Sequence, residues 1–103
     1  MSKIIASHNY YVYILTNKLK TVLYIGVTNN LKERLYYHSN PEAHSKSFSH
    51  KYRCKYLIYF EHIFFEIEDA IKREKQLKKW NRTKKEWLIN LKNPDWTFLN
   101  DTI

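Results

Sequence analysis

The sequence predicts a small α+β domain whose elements follow the order strand, strand, helix, strand, helix, helix. Residues 10–15 and 22–27 are dense in aromatic and β-branched residues, which favour strands. After a third such segment, residues 56–62, the apolar residues recur at helical spacing. A chain of 103 residues can build one domain with a modest core, here residues 1–103, and is too short for two.

The first two strands are predicted to form an antiparallel hairpin around a four-residue loop at residues 17–20. In that register Tyr13 lies directly opposite Tyr24, and Gly26 lies opposite Tyr11. Opposed residues share a face of the sheet, so the two phenols are expected to lie side by side. Gly26 is the only glycine in the chain, and a lone glycine inside a strand indicates that another group approaches the backbone closely.

A helix is predicted to begin directly after the second strand. Asn30 is a suitable N-cap, and Glu33 occupies the capping-box position three residues later. Arg34 and His38 are one helical turn apart on the same face. Two tyrosines, a glycine, an arginine and a histidine therefore converge within one hairpin and two helical turns, which predicts a functional site.

The segment between this helix and the third strand, residues 40–55, has neither helical nor strand periodicity and is predicted to be a loop. It carries the cations Lys46, Lys51, Arg53 and Lys55. Its length and charge leave two interpretations open, a solvated connection and a flap that contacts an anionic substrate.

The carboxy-terminal half is predicted to contain a central or half-buried strand, residues 56–62, and two helices, residues 67–80 and 83–91. The pair Asn93-Pro94 ends the second helix. The tail, residues 95–103, is expected to fold back onto the core. The apolar side of the second helix is predicted to comprise Trp87, Leu88 and Leu91.

Glu74 falls on the apolar stripe of the helix at residues 67–80, where a carboxylate must be paired or must bind a metal. The two alternatives are an ion pair with Arg34 or a neighbouring lysine, and a single-carboxylate Mg²⁺ or Mn²⁺ site completed by water and phosphate. Glu74 is the only acid among residues 72–85, which carry eight cations, and this favours contact with a phosphate backbone over a merely solvated face. The predicted nucleic-acid contacts in this run are Lys72, Arg73, Lys75, Lys78, Lys79 and Arg82.

The composition narrows the class of protein. A formal net charge of +8 and a pI of about 9.6 favour a polyanionic partner. A single cysteine, Cys54, excludes an internal disulfide, and no stretch is apolar enough to be a signal or a membrane span. These features predict a soluble, cytoplasmic protein. A zinc site is not favoured, because paired ligand spacing is lacking among His44, His50, Cys54 and His62.

These motifs resemble the GIY-YIG nuclease family, in particular its small stand-alone bacterial branch. The resemblance covers residues 10–96 and implies a three-stranded antiparallel sheet flanked by helices. Two residues depart from the family pattern: Tyr11 replaces the first glycine, and Val27 replaces a lysine found in the incision subunit of bacterial excision repair. The matching motifs are Tyr11-Val12-Tyr13, Tyr24-Ile25-Gly26, Arg34 in NLKERLYYH, Glu74 in REKQLKKW and Asn93 in NPDW.

The resemblance implies a metal-dependent endonuclease, a hydrolase acting on phosphodiester bonds of DNA, with repair or recombination intermediates as substrates. Glu74 would hold Mg²⁺ or Mn²⁺, and Arg34 would donate to the phosphoryl oxygens. Either Tyr24 or Tyr13 would accept a proton from the attacking water, with Tyr24 preferred. A free phenol titrates near ~10, so its deprotonation at neutral pH costs about 4 kcal/mol unless a cation is near.

In the same scheme His38 would position the water or the scissile phosphate, while Gly26 and Asn93 would support the site. The alternative function is a non-catalytic nucleic-acid-binding module of the same fold, acting as an accessory in a larger repair complex. A basic protein–protein adaptor is a third class, and it would lack steep salt dependence with DNA. The sequence does not predict an oligomeric state.

Overall fold

The described residues form three strands and three helices, and the strands and the last two helices lie within one residue of their predicted limits. A computed structural model describes residues 9–39, 51–64 and 66–103. A short 3₁₀ turn, Asn100–Thr102, follows the last helix. The elements are β1 (Tyr10–Thr16), β2 (Leu23–Thr28), α1 (Leu31–Ser39), β3 (Tyr56–Ile63), α2 (Ile67–Lys79) and α3 (Arg82–Lys92).

As expected, the three strands form one antiparallel sheet. Their order in the sheet is β2-β1-β3. β1 lies at the centre of the sheet. Its residues 12–16 are all buried, because both faces of this strand are covered. The third strand was predicted to be central or half-buried. It is half-buried but forms an edge of the sheet.

The register of the hairpin differs from the prediction by two residues. Tyr13 pairs with Gly26, and Tyr11 pairs with Thr28, so the predicted pairs Tyr13–Tyr24 and Tyr11–Gly26 were wrong. Because side chains alternate with a period of two along a strand, this shift leaves Tyr13 and Tyr24 on the same face. They are diagonal neighbours across the sheet instead of direct partners.

The cause of the shift is a loop of six residues, 17–22, in place of the predicted four. Asn17 organises this loop, since its Oδ1 accepts hydrogen bonds from the backbone N–H groups of Thr21 at 2.8 Å and Val22 at 3.1 Å. The Thr16 hydroxyl donates to the carbonyl of Val22 at 2.7 Å. These side-chain bonds satisfy backbone groups that would otherwise pair within the hairpin.

Helices cover both faces of the sheet. α2 and α3 pack on one face, and α1 packs on the other. No helix among the described residues has the length and apolar character needed to cross a membrane. The first core contains Val12, Ile14, Ile25, Ile58, Tyr59, Ala70, Leu77, Leu88 and Ile89. The second contains Tyr13, Leu15, Leu31, Leu35, Cys54 and Leu57.

The apolar side of α3 was only partly predicted. Leu88 is buried as expected, but Trp87 and Leu91 are exposed, and the fully buried residue is Ile89. The orientation follows from Asn93 at the end of the helix, whose side-chain amide donates to the backbone carbonyl of Ile58 in β3. Residues one turn before Asn93 therefore face the sheet.

The carboxy-terminal tail folds back onto β3, as predicted. The N–H of Leu99 donates to the carbonyl of Leu57 at 2.7 Å, and the N–H of Leu57 donates to Asn100 Oδ1 at 2.9 Å. The ring of Phe98 stacks on the ring of Tyr56 with the centroids 4.3 Å apart. Both hydrogen-bonding groups of the Leu57 backbone are thus taken by the tail.

Cys54 lies under this part of the structure and is fully buried. Burial raises the pKa of its thiol to about 11. Because only the thiolate attacks disulfide reagents, the folded protein is expected to react with such a reagent at least about a hundredfold more slowly than the urea-unfolded chain. The reaction rate is measured at neutral pH from the absorbance of the thiol that the disulfide reagent releases. Equal rates would mean that the segment before β3 opens readily.

Candidate active site

The hairpin brings the ring of Tyr13 directly across Gly26. A Cβ atom added to Gly26 would lie 2.5 Å from Cζ and 3.0 Å from Cε2 of Tyr13, well inside van der Waals contact. The close approach predicted from the lone glycine is therefore present. The approaching group is the phenol of Tyr13 on the neighbouring strand.

Tyr13 and His38 form a buried hydrogen-bonded pair. The hydroxyl of Tyr13 lies 2.9 Å from Nε2 of His38, and both side chains are almost fully buried. Burial raises the pKa of Tyr13 above its ordinary value, the charges of Tyr24 and Glu74 raise it further, and the charge of Arg34 opposes them. Tyr13 is thus a neutral phenol whose hydroxyl positions the imidazole.

Tyr24 occupies the accessible side of the same cluster. Its ring centroid lies 6.4 Å from that of Tyr13 and 5.2 Å from that of His38, so the imidazole lies edge-on between two phenols. Tyr24 also lines a groove of about 320 Å³ together with Lys78 and Lys85. Of the two predicted candidates for a general base, only Tyr24 borders a space that a substrate can enter.

Arg34 lies on the exposed face of α1, and its guanidinium carbon lies 5.6 Å from the ring centroid of Tyr37. Arg34 and His38 share one face of α1, as predicted, but they have different environments. The imidazole of His38 points into the tyrosine cluster, while the charge of Arg34 acts on Tyr13 from outside. An exposed guanidinium beside a phenol cluster can donate two parallel hydrogen bonds to a phosphate.

Glu74 lies mostly beneath the surface, with 16% of its side chain exposed, and its Oε2 pairs with Lys78 Nζ at 3.1 Å. An ion pair with a neighbouring lysine was one of the two alternatives for this carboxylate. Lys78 is 54% exposed, so this partner can move to water or to a phosphate at little cost.

The surroundings of Glu74 fit a magnesium site of the one-carboxylate type. Within residues 9–39, 51–64 and 66–103, no group of three His, Cys, Asp or Glu side chains converges as a metal cage would require. Mg²⁺ is commonly bound by one or two carboxylates, with water and substrate phosphate as the other ligands. Glu74 beside a lysine-lined groove offers this kind of donor set.

Asn93 is buried and holds β3, α3 and the tail together. Its side-chain amide donates to the carbonyls of Ile58 and Thr97, each at 2.9 Å, and its Oδ1 accepts from the N–H of Thr97. All three bonds stabilise the scaffold.

The predicted nucleic-acid contacts fall into two groups. The guanidinium of Arg73 binds both carboxylate oxygens of Glu61, and that of Arg82 binds Glu86 and two backbone carbonyls of the β1–β2 loop. These two arginines have structural partners. Lys46 lies outside the described residues. The exposed members are Lys51, Arg53, Lys72, Lys75, Lys78 and Lys79.

Sequence reasoning missed the acidic partner of Arg73. Burial opposes ionisation of Glu61, but the hydrogen bonds from Arg73 and Tyr59 and the Arg73 charge lower its pKa, so the pair stays ionised. Arg73 also lies 5.4 Å from the ring centroid of Trp80. The signal in the sequence was a lone acid in an otherwise apolar and aromatic strand. Lys85, which lines the groove at Tyr24, was likewise absent from the predicted contacts.

Comparison with known proteins identifies the family. The model of the GIY-YIG catalytic domain matches residues 9–87. This chain belongs to the GIY-YIG family. The matched part of this GIY-YIG chain contains Tyr13, Tyr24, Arg34, His38 and Glu74. Asn93 follows it.

A solved structure supports the same fold. The solution NMR structure of a UPF0213 protein from Bacillus halodurans is 27% identical in sequence and superposes with a TM-score of 0.52. The match covers 91% of this GIY-YIG chain and 93% of the other protein. No protein with a curated description matches significantly. The family supports a nuclease, a hydrolase whose substrate is nucleic acid.

Proposed function

We propose that this GIY-YIG domain is a metal-dependent endonuclease that hydrolyses phosphodiester bonds in DNA, with repair or recombination intermediates as its substrates. The observation that carries the proposal is the cluster at β2, where Tyr24 borders a lysine-lined groove and contacts the Tyr13–His38 pair. The charges of Arg34 and Glu74 both act on this cluster. Cleavage of a phosphodiester needs a proton acceptor, cationic stabilisation and a fixed geometry, and these residues offer all three.

In this proposal the phenolate oxygen of Tyr24 accepts the proton of the attacking water and becomes a hydroxyl. The water oxygen forms the new bond to phosphorus, the bond from phosphorus to the leaving oxygen breaks, and the leaving oxygen takes up a proton from solvent. Tyr13 remains neutral, because its burial disfavours the phenolate, and its hydroxyl keeps His38 oriented. His38 orients the water or the scissile phosphate against Tyr24.

Arg34 and Glu74 are the residues that respond to the negative charge of the phosphate. Arg34 donates hydrogen bonds to the phosphoryl oxygens, on which negative charge increases in the transition state. Glu74 would hold a divalent cation, Mg²⁺ or Mn²⁺, which would supply Lewis-acid stabilisation of the phosphate. Lys78 exchanges its pairing with Glu74 for a contact with the nucleic-acid backbone in the groove.

The test is cleavage of labelled branched, flapped, nicked and linear DNA with Mg²⁺ or Mn²⁺, comparing the wild type with Tyr24→Phe. This substitution removes one oxygen and keeps the ring. We expect metal-dependent cuts by the wild type and a rate at least about a hundredfold lower for Tyr24→Phe, the usual loss when a general base is removed. Tyr13→Phe is the matched control and is expected to lose less, because it removes a positioning bond.

Two results would count against the proposal. DNA binding without cleavage of any substrate would favour the non-catalytic accessory module. Equal cleavage by the wild type and Tyr24→Phe would exclude Tyr24 as the proton acceptor.

A further inference from the structure

A second groove, of about 310 Å³, lies on the other side of the β1–β2 loop. The loop itself forms one wall through Asn17 and Lys18, and the segment before β3 forms the other through Tyr52, Arg53 and Lys55. The described lining residues include three cations and no acid. We call this space the loop groove, and its charge favours an anionic occupant.

The walls of the loop groove are fixed before any ligand binds. Asn17 ties the β1–β2 loop through its bonds to Thr21 and Val22, and Arg82 donates to the loop carbonyls of Thr21 at 2.9 Å and Lys20 at 3.0 Å. On the opposite wall, the carbonyl of Lys55 accepts a hydrogen bond from Asn100 at 2.9 Å. Both walls are therefore held by the scaffold, which lowers the entropic cost of binding.

Aromatic rings accompany the cations of the loop groove. Tyr52 is 41% exposed, and Lys51 Nζ lies 5.5 Å from its ring centroid. Lys55 Nζ lies 5.6 Å from the ring centroid of Tyr56. Tyr52 is the exposed ring of the two, since Tyr56 is half-buried and stacks on Phe98. Cations beside an exposed aromatic ring in a concave surface are a combination by which proteins bind single-stranded nucleic acid, through phosphate contacts and base stacking.

The loop groove lies at the same end of the sheet as the candidate active site. Tyr24 pairs with Leu15 of β1, and the next residue of β1, Thr16, pairs with Tyr56 at the edge of the loop groove. Two strand spacings separate the backbones of Tyr24 and Tyr56, about 10 Å. Leu15 and Thr16 point to opposite faces of the sheet, so the side chains of Tyr24 and Tyr56 do as well.

We infer that the loop groove binds a single strand of nucleic acid, with Lys18, Arg53 and Lys55 on the backbone and Tyr52 under a base. This inference rests on the proposed nuclease function, because it identifies the substrate as one that carries an unpaired strand in addition to the bond that is cut. A flap or a branched junction has such a strand, and an intact duplex does not. Single-strand binding itself requires no catalysis, so it can be measured separately.

The experiment is fluorescence anisotropy of a labelled oligothymidylate against salt concentration, without divalent metal. For Lys18→Gln or Lys55→Gln, we expect binding about fivefold weaker at 0.1 M salt and a slope of log K against log salt smaller by about 0.7, the value for one lost phosphate contact on a single strand. Lys32→Gln, an exposed lysine on α1 outside the loop groove, is the matched control and should bind as the wild type does.

Two more variants show whether weaker binding comes from the loss of a charge, from the loss of a stacking ring or from a loss of folding. Tyr52→Leu is expected to bind about tenfold more weakly with an unchanged salt slope, because it removes the ring and keeps every cation. Arg53 has a backbone φ of 57°, a left-handed conformation that asparagine also tolerates. Arg53→Asn should therefore keep the melting temperature of the wild type and still lose one phosphate contact.

The outcomes distinguish this inference from the nuclease proposal. If the groove variants bind oligothymidylate as Lys32→Gln does while the wild type cuts DNA, the loop groove is not the strand site and the nuclease proposal stands. If the groove variants weaken binding and no substrate is cut, the strand site stands and the nuclease proposal fails. Equal weakening of duplex and single-strand binding would overturn the assignment to an unpaired strand.

Discussion

Glu74→Gln is expected to reduce the rate of DNA cleavage by about three orders of magnitude, or about 4 kcal/mol of transition-state stabilisation, with little change in DNA affinity. The substitution keeps the size of the side chain and removes the negative charge needed to bind a divalent cation. The fold should survive, because the ion-pair partner of the carboxylate within the described residues is the half-exposed Lys78, and a pair with one such solvated member contributes about 0.5 kcal/mol.

The measurement is single-turnover cleavage over a range of Mg²⁺ concentrations, with DNA affinity measured separately by anisotropy in the absence of metal. Glu68→Gln is a suitable control, since Glu68 is an exposed acid in the first turn of the same helix. Glu68→Gln should cleave as the wild type does. If Glu74→Gln also cleaves normally, the carboxylate serves only as the ion-pair partner of Lys78, and the proposed metal site is wrong.

Gly26→Ala is expected to destabilise the fold by about 3 kcal/mol, the upper part of the range for overpacking a core. Replacing glycine by alanine inside a strand normally stabilises by roughly 0.5–1 kcal/mol, so the expected sign is opposite to that of intrinsic propensity. The added methyl group would overlap the ring of Tyr13. That ring has no room to move, because it is 1% exposed and its hydroxyl is bonded to His38.

A double-mutant cycle tests whether overlap with the ring of Tyr13 causes the destabilisation. The free energy of unfolding of each variant is measured in urea. Leucine at position 13 lacks the hydroxyl oxygen and the two ring carbons that lie nearest to the new Cβ, so Gly26→Ala should cost much less in a Tyr13→Leu background. The coupling free energy between the two substitutions is expected to exceed about 1.5 kcal/mol, as is usual for residues in direct contact. Additive effects would show that the strain arises from the backbone and not from the ring of Tyr13.

The positions of strands and helices could be predicted because hydrophobic period and terminal signals are local properties. The side-chain amide of Asn30 does accept a hydrogen bond from the N–H of Glu33 at the start of α1, and Pro94 does follow the end of α3. The hairpin register could not be predicted in this way. A shift of two residues leaves every side chain on its original face, so the hydrophobic pattern cannot distinguish the two registers, whereas the loop bonds of Asn17 do.

The sequence predicted which residues belong to the candidate site, but not which role each of them has. Tyr13 and Tyr24 are equivalent in the sequence pattern. They differ because α1 covers Tyr13 and leaves Tyr24 beside a groove, and that follows from tertiary packing. Likewise, the run of cations gives no sign that Arg73 meets Glu61 or that Arg82 meets the β1–β2 loop, since those partners are distant in the sequence.

The hydrogen bonds between the tail and β3 bear on the exposed edge of the sheet. Edge strands with unpaired backbone groups recruit strands from other chains and so promote aggregation. Here Leu99 and Asn100 bind the backbone of Leu57, and the amine of Lys92 donates to the carbonyl of Phe60. Few backbone groups along β3 are therefore offered to a second copy, and a charged lysine stands where a foreign strand would approach. The tail thus covers part of the β3 edge, at the backbone groups with which a strand of another chain would pair.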